Sequence, residues 1–484
     1  MTLENVLTSV NQETIREWIT EIEERYQSVK KKVNSLNLDN WPKPFSRKPS
    51  YLVNGKEKTL DELTGDDFNP IINSLNGILD LSTFKKEEKN IIARSMAILN
   101  TVFWNFKERK PKKRKYESVY SLSHLLTVAS MFENPDLETL LVALNHDTIE
   151  DSYRHKVLKA YYKGEQISKE DAELIGLSEQ ELKVSDKRVK RRIYNRHLKE
   201  LINRTINLMD LSKEKAEKLK IYLDALTHRV YESYETYLRR LVKTSLKLGN
   251  EGYKLILAKA YDRLDNSHFN PPYNSPEKLN GNATKVLKDA VKDVFVLEVI
   301  NHYVLANKNL TKEQIKELLK VKVSLGALLN RNMTQLMLYI RNNYSSMKLK
   351  INEDEKDLEY WFNECETRLF KYYQEGGFNQ RDYTRSSNKP NEIFIYNGSI
   401  TSLSKFIEEK REHLFKDLNE PLEILRLYKF CAVAKSIGCL NTGHIPFVNE
   451  RLITNREEND SYGLNSLGEY NPKLLRFQIS GVVV

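Results

Sequence analysis

Glycine and proline are scarce in this chain: 17 Gly and 13 Pro occur among 484 residues, about half the usual combined share. A sandwich or barrel of many short strands needs frequent turn residues, so the scarcity points to a mainly helical protein. Cysteine is scarcer still. The three, Cys365, Cys431 and Cys439, are too few and too late in the chain for a disulfide framework, and they suit a reducing compartment. Long apolar runs are also missing, since no stretch supplies the roughly 18 uncharged apolar residues that a membrane span requires. The opening segment carries Glu4, Glu13, Arg16 and Glu17, which leaves no apolar core for a signal peptide. The expectation is a cytoplasmic protein with no membrane partner.

What is present suffices for well-packed cores. Hydrophobic residues make up 40% of the chain, with 26 Tyr and 17 Phe, which argues against wholesale disorder, and the length suggests two to three domains at roughly 150 residues each. The net charge of +10 invites an anionic partner such as nucleic acid, an acidic membrane or a phosphorylated small molecule. That basicity is local. Residues 107–115 (KERKPKKRK) contribute +6 and residues 183–199 (KVSDKRVKRRIYNRHLK) contribute +7, which leaves −3 for the remainder.

Punctuation divides the chain into three stretches. Residues 1–100 read as a helical N-terminal region interrupted by Pro42, Pro44 and Pro49. The run Asn270-Pro271-Pro272-Tyr273-Asn274-Ser275-Pro276 is the densest turn signal and marks a domain edge. Between these breaks, residues 101–270 hold six of the nine histidines. Residues 277–484 read as a mostly helical C-terminal domain, with helical patterns over 283–305, 311–343 and 353–373. A few strands are expected there, from Ile393-Phe394-Ile395-Tyr396 and the apolar tail at 477–484.

Three segments of the middle stretch place polar chemistry on apolar helices. Residues 118–132 (SVYSLSHLLTVASMF) contain no charged side chain, and their apolar residues surround a helix, as in one buried on all sides with His124 at its middle. Asn134-Pro135-Asp136-Leu137 then reads as a helix start, with Asn134 as the cap, and leads through Leu137, Leu140, Leu141 and Leu144 into Asn145-His146-Asp147-Thr148-Ile149-Glu150-Asp151. An imidazole and several carboxylates at the end of a buried helix are costly unless a cation compensates them. Further on, Asp262 shares a stripe with Leu255 and Ala258, and Asn266 lies one turn beyond. His124, His146, Asp147 and Asp262 are therefore the candidate metal ligands, a set suited to Mn²⁺, Fe²⁺ or Zn²⁺ rather than Ca²⁺. Blander alternatives stand beside each: a hydrogen-bonded core histidine at 124, a solvated acidic helix end at 147–151, and a surface ion pair of Asp262 with Lys259 or Arg263. Cys431, Cys439 and His444 fit no standard zinc spacing and read as structural.

Four segments resemble the HD superfamily of metal-dependent phosphohydrolases, and within it the hydrolase domain of the enzymes that degrade the alarmones (p)ppGpp. They are Leu122-Ser123-His124-Leu125-Leu126-Thr127-Val128-Ala129, then His146-Asp147-Thr148-Ile149-Glu150-Asp151. The third is Asp224-Ala225-Leu226-Thr227-His228-Arg229 with the following residues 232–237, and the fourth is Ala260-Tyr261-Asp262-Arg263-Leu264-Asp265-Asn266. The resemblance spans about residues 100–270. It implies an HD-type helical bundle, a preference for Mn²⁺, and removal of the 3′ diphosphate from a guanosine polyphosphate. It further implies that Glu150 and Asp151 orient or deprotonate the attacking water, and that Arg114, Lys115 and Asn266 bind the substrate. The interval from Asp151 to Asp224 exceeds what the family needs, so an insertion near 162–212 carries the second basic run. Two other readings of the same residues are an HD-type nucleotidase or dNTPase, and a nucleic-acid-binding protein that uses the run at 183–199 with Tyr194 available for base stacking.

Overall fold

The computed structural model describes residues 12–47, 49–113, 120–268 and 283–343, together with two short strands, Tyr462–Leu464 and Tyr470–Leu475. The described residues are mainly helical, as the shortage of turn residues leads one to expect. They fall into two compact units, Arg25–Thr244 on the one hand, and Met1–Glu24 with Ser245–Val484 on the other. No described helix is long and apolar enough to cross a membrane.

In the unit Arg25–Thr244, the proline-rich interruption is a small antiparallel sheet. It comprises β1 (Lys43–Pro44), β2 (Ser50–Val53) and β3 (Lys56–Thr59), in the order β1-β2-β3. Asn54 and Gly55 both have positive φ, 51° and 78°, the pairing that a two-residue hairpin turn demands. Pro44 sits on the edge strand, where a missing backbone N–H disrupts no ladder. Two helices follow, α2 (Gly65–Asn76) and α3 (Lys86–Val102), the second with Ile92, Ala93, Met96 and Leu99 fully buried. A two-stranded ribbon, β4 (Trp104–Asn105) and β5 (Lys110–Pro111), then carries the first half of the basic run 107–115.

The helices that matter for chemistry come next. Every residue from Leu122 to Ala129 of α4 (Leu122–Ser130) is buried, so the uncharged stretch does form a helix enclosed on all sides. In α5 (Leu137–Asn145), all positions but Glu138 are buried. Its cap is Asp136, whose carboxylate accepts the Thr139 N–H at 2.7 Å, rather than the expected Asn134. Asn134 instead takes a left-handed conformation (φ 46°), which a short polar side chain tolerates and which turns the chain after α4. The single turn α6 (Thr148–Asp151) follows, then α7 (Tyr153–Lys163), α8 (Lys169–Ile175), α9 (Glu179–Leu182), α10 (Lys187–Asn207), α11 (Lys213–Leu226) and α12 (Tyr234–Lys247). Ser152, Ser168, Ser178, Asp186 and Ser212 cap five of these helices, and Gly164 and Gly176 end α7 and α8 in the left-handed conformation. The stretch expected as an insertion thus runs from the end of α7 through α10.

The other unit is built from α13 (Tyr253–His268), α14 (Ala283–Ala306) and α15 (Lys312–Asn343), with the start of α1 (Gln12–Asn34) against α15. Ile15, Trp18 and Ile19 share a core with Leu319, Val323 and Ala327. The buried Arg263 guanidinium bridges α13 to α14 through Asp293 (2.8 Å) and Asp289 (3.2 Å), and Ser267 donates to Asp293 as well. A buried cation between two carboxylates is satisfied on both sides, so Arg263 is committed to holding these helices together. The helices expected at 283–305 and 311–343 correspond to α14 and α15. The patterns at 353–373, 393–396 and 477–484, and also Cys431, Cys439 and His444, lie outside the described residues.

Candidate metal centre

Within the unit Arg25–Thr244, three of the four expected ligands meet. His124 projects from the middle of α4, His146 caps the C-terminus of α5, and Asp147 precedes α6. Both helices are enclosed by apolar side chains, so the two imidazoles are held in place: His124 is 9% exposed and His146 3%. Their Nε2 atoms stand 3.2 Å apart. Asp147 Oδ2 lies 3.3 Å from His146 Nε2 and 3.6 Å from His124 Nε2.

These separations allow a direct test of whether an ion fits. Two donors that each lie about 2.1 Å from one ion are roughly 3.0–3.4 Å apart for octahedral to tetrahedral angles. Two of the three observed edges fall in that range and the third is slightly longer. Tautomer chemistry agrees. His146 Nδ1 is 2.7 Å from the Ala143 carbonyl oxygen and donates its proton there, which leaves Nε2 as the nitrogen that faces His124 and Asp147. The donor set fits a divalent cation.

Asp262, the fourth expected ligand, belongs to α13 in the other unit. Its side chain is buried, with Asn266 Nδ2 donating to Oδ1 at 2.6 Å and Lys259 donating to Oδ2 at 2.5 Å. Of the two ion-pair partners considered for it, Lys259 is present and Arg263 is taken by Asp289 and Asp293. Asn266 here orients the Asp262 carboxylate.

Glu150 and Asp151 differ sharply in their surroundings. Glu150 Oε1 accepts the backbone N–H of His228 at 2.5 Å, and its carbonyl oxygen faces His155 Nδ1 at 3.4 Å. The loop after α11 is fixed further by Arg240, which donates to the carbonyls of Asp224 and Thr227 and to both carboxylate oxygens of Glu232. Asp151, by contrast, is half-buried, and its carboxylate makes no hydrogen bond or ion pair with any described residue. Burial first, and the Asp147 charge second, push its carboxyl above the ordinary carboxylate range, against the pull of Lys156, His124 and Lys112.

Sequence reasoning did not find the network behind Glu150. His155 is completely buried; its Nε2 accepts the Tyr194 hydroxyl proton at 2.7 Å, and that hydroxyl oxygen receives the Val230 N–H at 3.4 Å. Partners 39 and 36 residues apart leave no local signal. This corrects the expectation for Tyr194: it is buried and hydrogen-bonded in the unit's interior and offers no ring to a base. The basic residues around it form a solvated face, with Lys183, Lys187, Arg188, Arg191, Arg192 and Lys199 exposed. Lys107, Arg109, Lys110 and Lys113 of the first run are exposed too, whereas Arg114 and Lys115 lie outside the described residues. No protein-family model matches the chain, and comparison with curated proteins and with solved structures yields no match.

Proposed function

We propose that this chain is a metal-dependent phosphohydrolase of nucleotides, with Mn²⁺ or another divalent transition metal held by His124, His146, Asp147 and Asp262. The observation that carries the reading is the trio of donor atoms 3.2–3.6 Å apart, with the His146 tautomer set by Ala143. Further support is that His124, His146 and Asp147 bring their ligand atoms together within one unit; Asp262 enters as the fourth ligand on the resemblance of its segment. Bound there, a divalent ion supplies Lewis-acid polarisation of a phosphoryl oxygen and acidifies water.

The chain's own residues then divide the work. Asp151, whose carboxylate has no hydrogen-bond or ion-pair partner among the described residues, takes the proton of the attacking water and returns one to the leaving oxygen. Glu150 anchors the loop at His228 and so keeps α6 in register beside His146 and Asp147. Lys112, half-buried and facing Asp151, and the exposed cations of the β4–β5 ribbon neutralise substrate phosphates. The substrate assignment, a guanosine 3′,5′-bis(diphosphate) that loses its 3′ diphosphate, rests on the resemblance of the four segments; an HD-type dNTPase is the second reading from the same site.

The test uses the full chain, stripped with EDTA, reloaded with Mn²⁺ and given ppGpp, pppGpp, ppApp and dNTPs, with products identified by mass. Release of pyrophosphate with the 5′ phosphates retained is the expected result; inert ppGpp with hydrolysed dNTP moves the protein to the nucleotidase reading. Asp147→Ala and His146→Ala each lower retained metal from one ion per chain and lower turnover by more than about 100-fold. Normal metal content and normal turnover in Asp147→Ala would refute the centre. Nucleic-acid binding through residues 183–199 predicts instead a steep loss of RNA affinity with salt.

A further inference from the structure

A cleft between α7, α8 and α10 is lined by two arginines that pair with no acid among the described residues. Its floor is apolar, formed by Leu158, Ile175 and Leu201, and Arg154 of α7 and Arg204 of α10 stand at its sides. Neither guanidinium makes a hydrogen bond or ion pair with any described residue. Two acids lie nearby: Glu200, which lines the cleft with His197 and lies 3.4 Å from His197 Nδ1, and Glu181, which pairs with Arg196 and lies 3.5 Å from His197 Nε2. Arg154 is half-buried, and its proton affinity is held below the ordinary arginine value by burial first and by the Arg204 charge second.

Two like charges beside an apolar floor are costly, and the cost disappears when an anion lies between them, because guanidinium forks match phosphate oxygens in two-point contacts. We infer that this cleft is a binding site for the phosphate group of a small molecule, with Arg154 and Arg204 as its two clamps. Shape sets the ligand size. The cleft is about 260 Å³ counting the solvent at its mouth, room for one small anionic group. A long polyanion is disfavoured by the concave floor and by the Glu200 carboxylate on the lining, so the ligand is inorganic phosphate or a phosphomonoester. The site stands apart from the proposed metal centre in its residues and does not depend on that reading.

Calorimetry and ³¹P NMR on the full chain, at constant ionic strength with chloride as the reference anion, test this with inorganic phosphate, ribose 5-phosphate and a single-stranded RNA 15-mer. Saturable phosphate binding is expected, and tighter binding of ribose 5-phosphate identifies the phosphomonoester as the ligand. Arg154→Gln and Arg204→Gln each weaken phosphate binding at least tenfold, while Arg188→Gln, exposed on the same helix outside the cleft, stays within twofold. A second readout separates binding from structure. Without phosphate the two cleft variants melt no lower than the parent, because a like-charge neighbour is gone, and phosphate raises the melting temperature of the parent alone. Arg204 is exposed, so its substitution leaves the core untouched. Equal phosphate affinity in the parent and both cleft variants, absence of saturable binding, or displacement of phosphate by the RNA would each overturn the inference.

Discussion

His155 offers a quantitative check on the interior of the unit Arg25–Thr244, because the structure dictates its charge. The ring donates from Nδ1 towards the Glu150 carbonyl and accepts the Tyr194 hydroxyl at Nε2, so both nitrogens are satisfied only in the neutral form. Burial, and secondarily Lys159, lower its pKa from 6.5 to about 3. A base with a depressed folded pKa binds more protons when unfolded, so its contribution to stability is complete above pH 6.5 and is lost as pH falls towards 3. Between pH 7 and pH 5 the loss is about 2 kcal/mol, a figure insensitive to the folded value so long as it lies well below 5.

Urea unfolding of the parent and of His155→Gln, followed through Trp41 and Trp104 in the same unit, isolates this term, since all other titrating groups are common to both proteins. The stability advantage of the parent should shrink by about 2 kcal/mol on going from pH 7 to pH 5. In parallel, the His155 Cε1–H resonance should hold its position over that range while exposed histidines move. An advantage that stays constant with pH, or a His155 resonance that titrates near 6.5, would show that the imidazole carries charge in the folded protein and that the Glu150–His155–Tyr194 arrangement is wrong.

Two further outcomes follow from the same frame. Arg240→Ala should destabilise the protein by about 3 kcal/mol in urea unfolding, because the Glu232 side chain, 6% exposed, loses its principal cation and the carbonyls of Asp224, Ala225 and Thr227 lose a donor; Arg240→Lys should recover only part of this, since an ammonium cannot span both acceptor sets. Asp136→Ala should cost about 1 kcal/mol by removing the cap of α5, with Asp136→Asn close to the parent, as thermal melting would report.

The helices of the candidate centre were legible where one periodicity dominates. Residues 122–129 carry no charge and are enclosed on all sides, and the leucines of α5 repeat at helical spacing up to His146, so an imidazole at each position had to enter an apolar interior. The cap of α5 was misplaced by two residues, because Asn134 and Asp136 are both good caps and only the left-handed turn at Asn134 separates them. The hairpin at Asn54-Gly55 carried a signal that could have been read, a turn pair between β-leaning residues, but the three prolines before it masked the strand pattern. The setting of Glu150 had no such signal, since its partner His228 is 78 residues away and contributes a backbone group that every residue possesses.

Composition and pattern alone determined the mainly helical class, the concentration of positive charge in two runs, and the residue types capable of holding a cation, since those follow from local propensity and from the cost of placing polar groups on apolar helices. Which carboxylate is free and which is tied down was decided by tertiary structure: Glu150 and Asp151 are adjacent acids in one turn, yet only the first meets an N–H. The fold likewise turned Tyr194 inward and brought Arg154 and Arg204 to one cleft with no ion pair to either among the described residues. Such assignments depend on partners brought together from distant parts of the chain, and the energy of a buried polar group is set by those partners and not by its neighbours in sequence.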